Sequence, residues 1–165
     1  MSVSLLPEEI VNLARRVVDE NRAIGRKVAL AESCTGGLVA AAITEIPGSS
    51  AVLDRSFVTY SNEAKKETLG VAGDVIDAFG AVSIACVYAM AQGALEHSDA
   101  DVAVAISGIA GPDGGSEQKP VGTVVFARAK RYAEDREAES RLFKAEDRSE
   151  VRRQATLCAL ELLLP

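Results

Sequence analysis

The chain has 165 residues, of which 48% are hydrophobic and 25% are charged, a balance typical of a folded globular protein rather than a disordered one. The formal net charge is −6 and aromatic residues make up only 4%, which argues against a protein that binds nucleic acid through phosphate contacts or base stacking. This length is typical of one domain, so we expect residues 1–165 to form a single domain.

Hydrophobic periodicity and turn residues predict six helices and five strands. The helices are predicted at about Pro7–Asn21, Thr35–Glu45, Glu63–Leu69, Asp74–Phe79, Ser83–His97 and Ser149–Leu164. The strands are predicted at Arg26–Leu30, Val52–Leu53 continuing to Phe57–Tyr60, Val102–Ile106, Val121–Ala129 and Glu137–Lys144. The last two strands lie close in sequence across Glu134-Asp135, so they should pair as an antiparallel hairpin. Helices that alternate with strands, followed by one hairpin, predict an α/β fold: a three-layer α/β/α sandwich with a mixed sheet.

The first candidate site is the run Ala31-Glu32-Ser33-Cys34-Thr35-Gly36-Gly37, between a buried strand and a helix. A turn of this kind exposes backbone N–H groups at a helix N-terminus, where negative charge is favoured, so it can hold a phosphate or an oxyanion. It also presents Ser33 or Thr35 at the mouth of the sheet. The ordinary alternative is a turn that needs small residues only for packing.

The second candidate is Tyr60-Ser61-Asn62-Glu63-Ala64-Lys65, at a strand end and a helix start. A lysine removed from water has a lowered pKa and can accept a proton near neutral pH, and a nearby Tyr60 hydroxyl can orient or relay that proton. The alternative is a capped helix with a solvated lysine.

Two further segments can bind a ligand. The glycine-rich stretch 107–115 follows the buried strand at Val102–Ile106, and long loops in this place are more often functional than not. Arg148 lies at a helix start, where a cation opposes the helix dipole, so it should have an anionic partner, either Asp147 or a ligand phosphate. The alternatives are a surface connection and a solvated charged face.

Several familiar sites are disfavoured by residue counts. The single histidine, His97, lies at a polar helix end and should be exposed, which makes a Ser-His-Asp triad improbable. One histidine and three scattered cysteines without zinc spacing predict no metal site. Cys34 remains a rival nucleophile to Ser33, because a helix N-terminus can lower the pKa of a thiol.

The N-terminal segment carries acidic Glu8 and Glu9 and lacks the apolar core of a signal peptide. No apolar run approaches the roughly 20 residues that a membrane span needs. Together with the scattered cysteines, these features predict a cytoplasmic protein without membrane contact. The apolar stripes of the first and last helices can face a second copy as well as the core, so a homodimer stays open.

Taken in order, the motifs at 31–37, 57–65, 80–83, 107–115 and 119–124 resemble those of the CinA C-terminal domain family, the competence/damage-inducible proteins. The resemblance runs from about residue 8 to residue 162. Many relatives carry Thr where this chain has Ser107, and larger relatives carry an additional N-terminal domain for which this chain has no room.

The resemblance implies a nicotinamide-nucleotide amidohydrolase, which hydrolyses nicotinamide mononucleotide to nicotinate mononucleotide and ammonia in pyridine-nucleotide salvage without a metal or cofactor. It implies Ser33 as the nucleophile, Lys65 as the general base and Tyr60 as its assistant. The expected substrate-binding residues are Cys34, Thr35, Gly36, Gly37, Ser107, Gly108, Gly111 and Arg148, with the backbone N–H groups from Cys34 to Gly36 holding the oxyanion.

A second interpretation stays open at this point. The same loops can bind a nucleotide in a non-catalytic regulatory module linked to competence or the DNA damage response, with Lys65 as a phosphate clamp of ordinary pKa.

Overall fold

The computed structural model describes residues 3–134 and 137–165. Its strands are β1 (Val28–Glu32), β2 (Leu53–Val58), β3 (Val102–Gly108), β4 (Thr123–Lys130) and β5 (Glu137–Leu142). Its helices are α1 (Glu8–Ala23), α2 (Leu38–Thr44), α3 (Asn62–Leu69), α4 (Gly73–Phe79), α5 (Ile84–Glu96) and α6 (Arg148–Leu162), with a short 3₁₀ turn at Ser49–Ala51.

The strands form one five-stranded sheet in the order β2-β1-β3-β4-β5. The first three strands in that order are parallel, whereas β3–β4 and β4–β5 are antiparallel. The predicted mixed sheet and the hairpin of the last two strands are therefore confirmed. Asp135, in the predicted hairpin turn, lies outside the described residues.

The two faces of the sheet carry different side chains, because successive residues of a strand point to opposite faces. On one face, α1, α2 and α6 cover larger side chains such as Leu30 and Val104. On the other face, α5, together with Leu69 of α3 and Ile76 of α4, covers mainly alanines such as Ala31 and Ala105. This arrangement confirms the predicted three-layer sandwich.

The predicted second helix begins three residues too early. It starts at Leu38 rather than Thr35, because Gly36 and Gly37 have φ angles of +57° and +101°, in the left-handed region that a right-handed helix excludes. Pro7, expected at the first helical position, instead occupies the N-cap of α1. The loop before α2 is thus longer than predicted.

The parallel register brings three chain segments to one edge of the sheet. Glu32 at the end of β1 pairs with Val58 of β2 and with Ile106 of β3. Residues that follow β1, β2 and β3 therefore emerge side by side, which is where open α/β sheets bind ligands. Within the part of the chain that the structure describes, no helix is both long and apolar enough to cross a membrane.

Candidate active site

Ser33 follows β1 directly and is held at the edge of the sheet. Its backbone N–H donates to the carbonyl oxygen of Ile106 on β3 at 2.9 Å. Its side chain is buried, with 7% of the residue exposed. The backbone of Ser33 is therefore fixed by the sheet, while its hydroxyl lies beyond the last strand residue.

Lys65 places its amine against that hydroxyl. The Ser61 hydroxyl caps α3 by accepting from the amide of Ala64, which starts the helix at Asn62 and puts Lys65 in its first turn. Lys65 Nζ lies 3.1 Å from Ser33 Oγ, and only 1% of the lysine is exposed. The predicted meeting of these two motifs is observed.

Two backbone carbonyls fix the orientation of the amine. Lys65 Nζ donates to the carbonyl oxygens of Thr59 at 2.9 Å and of Tyr60 at 3.1 Å. A neutral amine has two N–H groups for these two carbonyls, which leaves its lone pair for the proton of the Ser33 hydroxyl. Thr59 contributes only its backbone to Lys65, which is why composition and spacing gave no signal for it.

The surroundings of Lys65 favour its neutral form. Burial lowers the pKa of Lys65 below its ordinary value, and it outweighs the opposite effects of Cys86 and Cys34. Among the described residues, no carboxylate forms an ion pair with this amine. The direction of this shift is the one that favours proton acceptance by an amine.

Cys34 has the opposite properties. Burial raises the pKa of its thiol to about 11, so at neutral pH the sulfur is protonated and is a poor nucleophile. Of the two candidate nucleophiles, Ser33 is the one whose side chain is hydrogen-bonded to the Lys65 amine.

Tyr60 contacts Lys65 through its backbone and not through the side-chain hydroxyl that was expected to assist it. Its contact with Lys65 is made by the backbone carbonyl, whereas the phenol oxygen accepts a hydrogen bond from Arg148 Nη2 at 3.0 Å. Tyr60 as a whole is 61% exposed, because β2 ends at Val58 and Tyr60 lies outside the sheet. The structure does not bring the Tyr60 hydroxyl to the amine, so a proton relay through it is not supported.

A buried glutamate organises the turn after β1. Glu32 is fully buried, and its carboxylate accepts hydrogen bonds from five donors. The donors are Thr35 Oγ1, the amides of Gly37, Val39 and Ala40, and Ser56 Oγ. Glu32 thereby caps the start of α2.

Three of the expected binding residues have groups engaged in or beside this cap. The Thr35 hydroxyl and the Gly37 amide both donate to Glu32, and the Gly36 amide donates to the carbonyl of Ser33 at 3.0 Å. These groups are therefore engaged within the protein rather than offered to a ligand. The start of α2 does not act as a free anion site, because a carboxylate of the chain already occupies it.

A cleft of about 240 Å³ opens beside the turn. It is lined by Cys34, Tyr60, Gly108, Ile109, Ala110, Gly111, Asp113, Gly114, Gly115 and Arg148. Of the expected binding residues, the structure thus brings Cys34, Gly108, Gly111 and Arg148 together. A larger cavity of about 320 Å³ lies across β4 and β5 and includes none of them.

The glycine at position 108 is required by close packing. A Cβ there would lie 2.8 Å from Val124 Cγ2 and 3.1 Å from Cys34 Sγ, so the loop can leave β3 at this point only without a side chain. Ser107, in contrast, is 2% exposed, and its hydroxyl donates to the carbonyl of Ala81. Its hydroxyl therefore joins β3 to the segment before α5 and does not line the cleft.

Arg148 lies at the start of α6 as predicted, but its anionic partner is not Asp147. Asp147 caps the helix by accepting from the amide of Glu150. Arg148 donates to the carbonyl of Gly111 at 2.7 Å and to the Tyr60 hydroxyl. The guanidinium thus joins the glycine loop to Tyr60 at the rim of the cleft.

The structure adds residues that motif analysis passed over. Asp113 lines the cleft, although the sequence marks it only as part of a turn. Arg152 donates to the carbonyls of Cys34 and Thr35, whereas from sequence it belongs to a charged helix face. His97 is exposed at the end of α5, as predicted. Among the described residues, no group of three or more His, Cys, Asp or Glu could hold a metal ion.

Comparison with known proteins places this site in a family. The model of the CinA C-terminal domain matches residues 10–165. The chain belongs to the CinA C-terminal domain family. The solved competence/damage inducible protein CihA from Agrobacterium tumefaciens, another CinA-type structure, superposes with a TM-score of 0.94 at 48% identity, over 98% of this chain and 97% of that one.

Curated relatives divide into short and long proteins. Nicotinamide-nucleotide amidohydrolase PncC from Escherichia coli K12 is 53% identical over 155 residues, which cover 94% of this chain and 93% of that protein. A CinA-like protein from Akkermansia muciniphila is 54% identical over 138 residues, which cover 84% of this chain but only 33% of that protein. In length, this chain resembles the short CinA-family proteins.

Proposed function

We propose that this protein hydrolyses the carboxamide of nicotinamide mononucleotide, releasing ammonia and nicotinate mononucleotide, as a step in pyridine-nucleotide salvage. The observation that carries the chemistry is the 3.1 Å contact between Lys65 Nζ and Ser33 Oγ, with Lys65 buried and its pKa lowered. The substrate is supported by the 53% identity to proteins named nicotinamide-nucleotide amidohydrolase.

Acylation begins with neutral Lys65. Its lone pair takes the proton from Ser33 Oγ as the oxygen attacks the carboxamide carbon, which converts the C=O double bond into an oxyanion. The ammonium of Lys65 then gives this proton to the amide nitrogen. The C–N bond breaks, ammonia leaves, and an ester joins Ser33 to the nicotinoyl group.

Deacylation uses the same pair in reverse order. Lys65 takes a proton from water, and the resulting hydroxide attacks the ester carbon. The bond to Ser33 Oγ breaks, Lys65 returns the proton to that oxygen, and nicotinate mononucleotide leaves. Each step moves a proton over one hydrogen bond, so the mechanism needs no relay through Tyr60.

The cleft offers complementary charges for this substrate. The pyridinium ring of nicotinamide mononucleotide is positive and its phosphate is negative, and the cleft includes both an acid, Asp113, and a base, Arg148. We assign Arg148 to the phosphate, since a guanidinium matches phosphate geometry, and Asp113 to the side of the ring. Backbone groups of Gly108 and Gly111 supply the adjoining wall.

Ammonia release from nicotinamide mononucleotide tests the proposal, with the wild-type protein measured beside Ser33→Ala and Cys34→Ala. We expect release by the wild type and by Cys34→Ala, with an equal amount of nicotinate mononucleotide, and none by Ser33→Ala. Release by Ser33→Ala would remove Ser33 as the nucleophile. Binding of the nucleotide without release by the wild type would instead identify a non-catalytic binding module.

A further inference from the structure

Most backbone amides of the turn after β1 already have an acceptor. The Ser33 amide donates to the carbonyl of Ile106, the Gly36 amide to that of Ser33, and the Leu38 amide to that of Thr35. The Glu32 carboxylate accepts from the other three amides, those of Gly37, Val39 and Ala40. Among the described residues, the amides of Cys34 and Thr35 are the two members of this turn without an acceptor.

A buried amide without an acceptor destabilises the protein unless a ligand supplies the acceptor. Thr35 is fully buried, so water does not satisfy its amide in the free protein. A buried N–H without an acceptor has lost its bonds to water without replacing them. Such an amide, two residues after the nucleophile, is suited to an oxygen that gains negative charge only during the reaction.

Arg152 fixes the direction of this amide. Its Nε donates to the Cys34 carbonyl at 3.0 Å, and its Nη2 lies 3.4 Å from the Thr35 carbonyl oxygen. The Cys34 carbonyl and the Thr35 amide belong to one planar trans peptide, in which C=O and N–H point in opposite directions. Drawing the carbonyl toward Arg152 therefore turns the Thr35 N–H away from α6.

Lys65 lies on the side of the sheet opposite to α6. Helix α6 packs on the face of the sheet covered by α1 and α2, whereas α3, which carries Lys65, packs on the opposite face. Gly36 permits the close approach of the arginine, since a Cβ there would lie 3.3 Å from Arg152 Nη2. The Arg152 guanidinium thus holds the turn from the α6 side by donating to two of its carbonyl oxygens.

We infer that Arg152 is a positioning residue of the reaction, which aims the Thr35 N–H at the oxyanion of the tetrahedral intermediate. This inference rests on the proposed function: of the expected oxyanion donors, Cys34 to Gly36, the Gly36 amide is engaged by Ser33, and Arg152 acts on the direction of the Thr35 amide. Arg152 also forms no ion pair with a carboxylate among the described residues, so its positive charge stays unneutralised beside that peptide.

Arg153 provides a matched control on the same helix. Its guanidinium pairs with Glu150 at 2.7 Å and with Glu9 at 2.6 Å, and it donates to no carbonyl of the turn. Arg153→Met therefore removes a cation of the same size from α6 without touching the Cys34–Thr35 peptide.

The first experiment compares steady-state kinetics of Arg152→Met, Arg153→Met and wild type with nicotinamide mononucleotide. We expect Arg152→Met to lower kcat by about 100-fold with little change in KM, because a misplacement of about 1 Å at a reacting group costs that much. Arg153→Met should stay close to wild type. A raised KM with unchanged kcat would show that Arg152 binds the substrate itself, and an equal loss in both variants would show a general effect on α6; either result overturns the inference.

The second experiment uses an alkyl fluorophosphonate, which phosphonylates an activated serine and needs a donor for its phosphoryl oxygen. Labelling of Ser33 should slow in Arg152→Met by a similar factor, and added guanidinium ion should restore part of the rate. Labelling that proceeds at the wild-type rate would overturn the inference. If the wild-type protein releases no ammonia but Arg152→Met is still labelled more slowly than the wild type, the inference stands and the proposed substrate is wrong.

Arg152→Lys covers the case in which Arg152→Met does not fold. Lysine keeps the charge and stem but loses the paired N–H groups of the guanidinium. We expect it to fold with a wild-type urea midpoint and to lose kcat by an intermediate factor, and a fully active Arg152→Lys would contradict the inference.

Discussion

The proposed role of Lys65 as a base requires its neutral form, and the position of the amine determines when that form is present. Burial disfavours the ammonium ion, so the pKa of Lys65 lies below that of a lysine in water. The carbonyls of Thr59 and Tyr60 accept from two N–H groups in either protonation state. The third position of the amine, toward Ser33, is therefore the one that changes from donor to acceptor on deprotonation.

This environment predicts a pH dependence with a definite sign. As pH falls through the lowered pKa of Lys65, the amine takes up a proton and can no longer accept one from Ser33. We expect kcat/KM for ammonia release to rise with pH, with the midpoint of the acidic limb below the pKa of a lysine in water. A rate profile over the pH range in which the protein stays folded checks this. A rate that falls as pH rises through this region would contradict the role of the neutral amine.

At the scale of elements, the contact between α3 and α5 sets the position of Lys65. A Cβ at Gly93 of α5 would lie 2.1 Å from the carbonyl oxygen of Leu69 and 2.9 Å from the Leu69 side chain. Leu69 is the last residue of α3, one turn beyond Lys65 on the same face. The missing side chain at Gly93 therefore permits the approach that keeps the amine near Ser33.

Gly93→Ala should consequently act on both stability and turnover. We expect it to lower the free energy of unfolding by about 1–3 kcal/mol, since overpacking a close contact costs that much, and to lower kcat by displacing α3. Urea denaturation and ammonia release measure the two effects. Gly73→Ala is the control: its Cβ would meet only the flexible Lys66 side chain, at 3.6 Å from Cε and 3.8 Å from Nζ, and alanine favours a helix over glycine by up to about 1 kcal/mol. Equal stability of the two variants would show that the α3–α5 contact does not depend on Gly93.

The sequence predicts the elements of this fold well because each is marked by local chemistry. The apolar run Val102–Ile106 forms β3, and the helix predicted at Ser83–His97 matches α5 to within one residue at each end. The meeting of Ser33 with Lys65 followed from the family resemblance. The element predictions rest on side chains, whose periodicity is visible in the sequence.

What the sequence could not predict is how polar groups would satisfy one another. The Glu32 carboxylate accepts from the Thr35 hydroxyl and the Gly37 amide, and the Ser107 hydroxyl donates to the carbonyl of Ala81, so these particular groups serve the fold. Both outcomes depend on contacts across the chain or on backbone atoms. The contact of Lys65 with backbone carbonyls is hidden from sequence for the same reason.

At the scale of the molecule, the candidate site combines all three layers of the sandwich. The sheet supplies Ser33, the layer with α5 supplies Lys65, and the layer with α6 supplies Arg148 and Arg152. The glycine loop after β3 closes the remaining side of the cleft. A hydrolase built this way depends on the relative placement of both helical layers. The expected homodimer stays a prediction.

The central claim is that Lys65 is a general base rather than a clamp for a phosphate. The most direct measurement determines, for Lys65→Met, both ammonia release and the Kd for nicotinamide mononucleotide by calorimetry. Lys66→Met, which removes the neighbouring exposed lysine of α3, is the control and should match the wild type. If Lys65 is the base, turnover falls by about 100-fold or more while Kd stays near that of the wild type. If nucleotide binding is lost together with turnover, or if turnover survives, the account is contradicted.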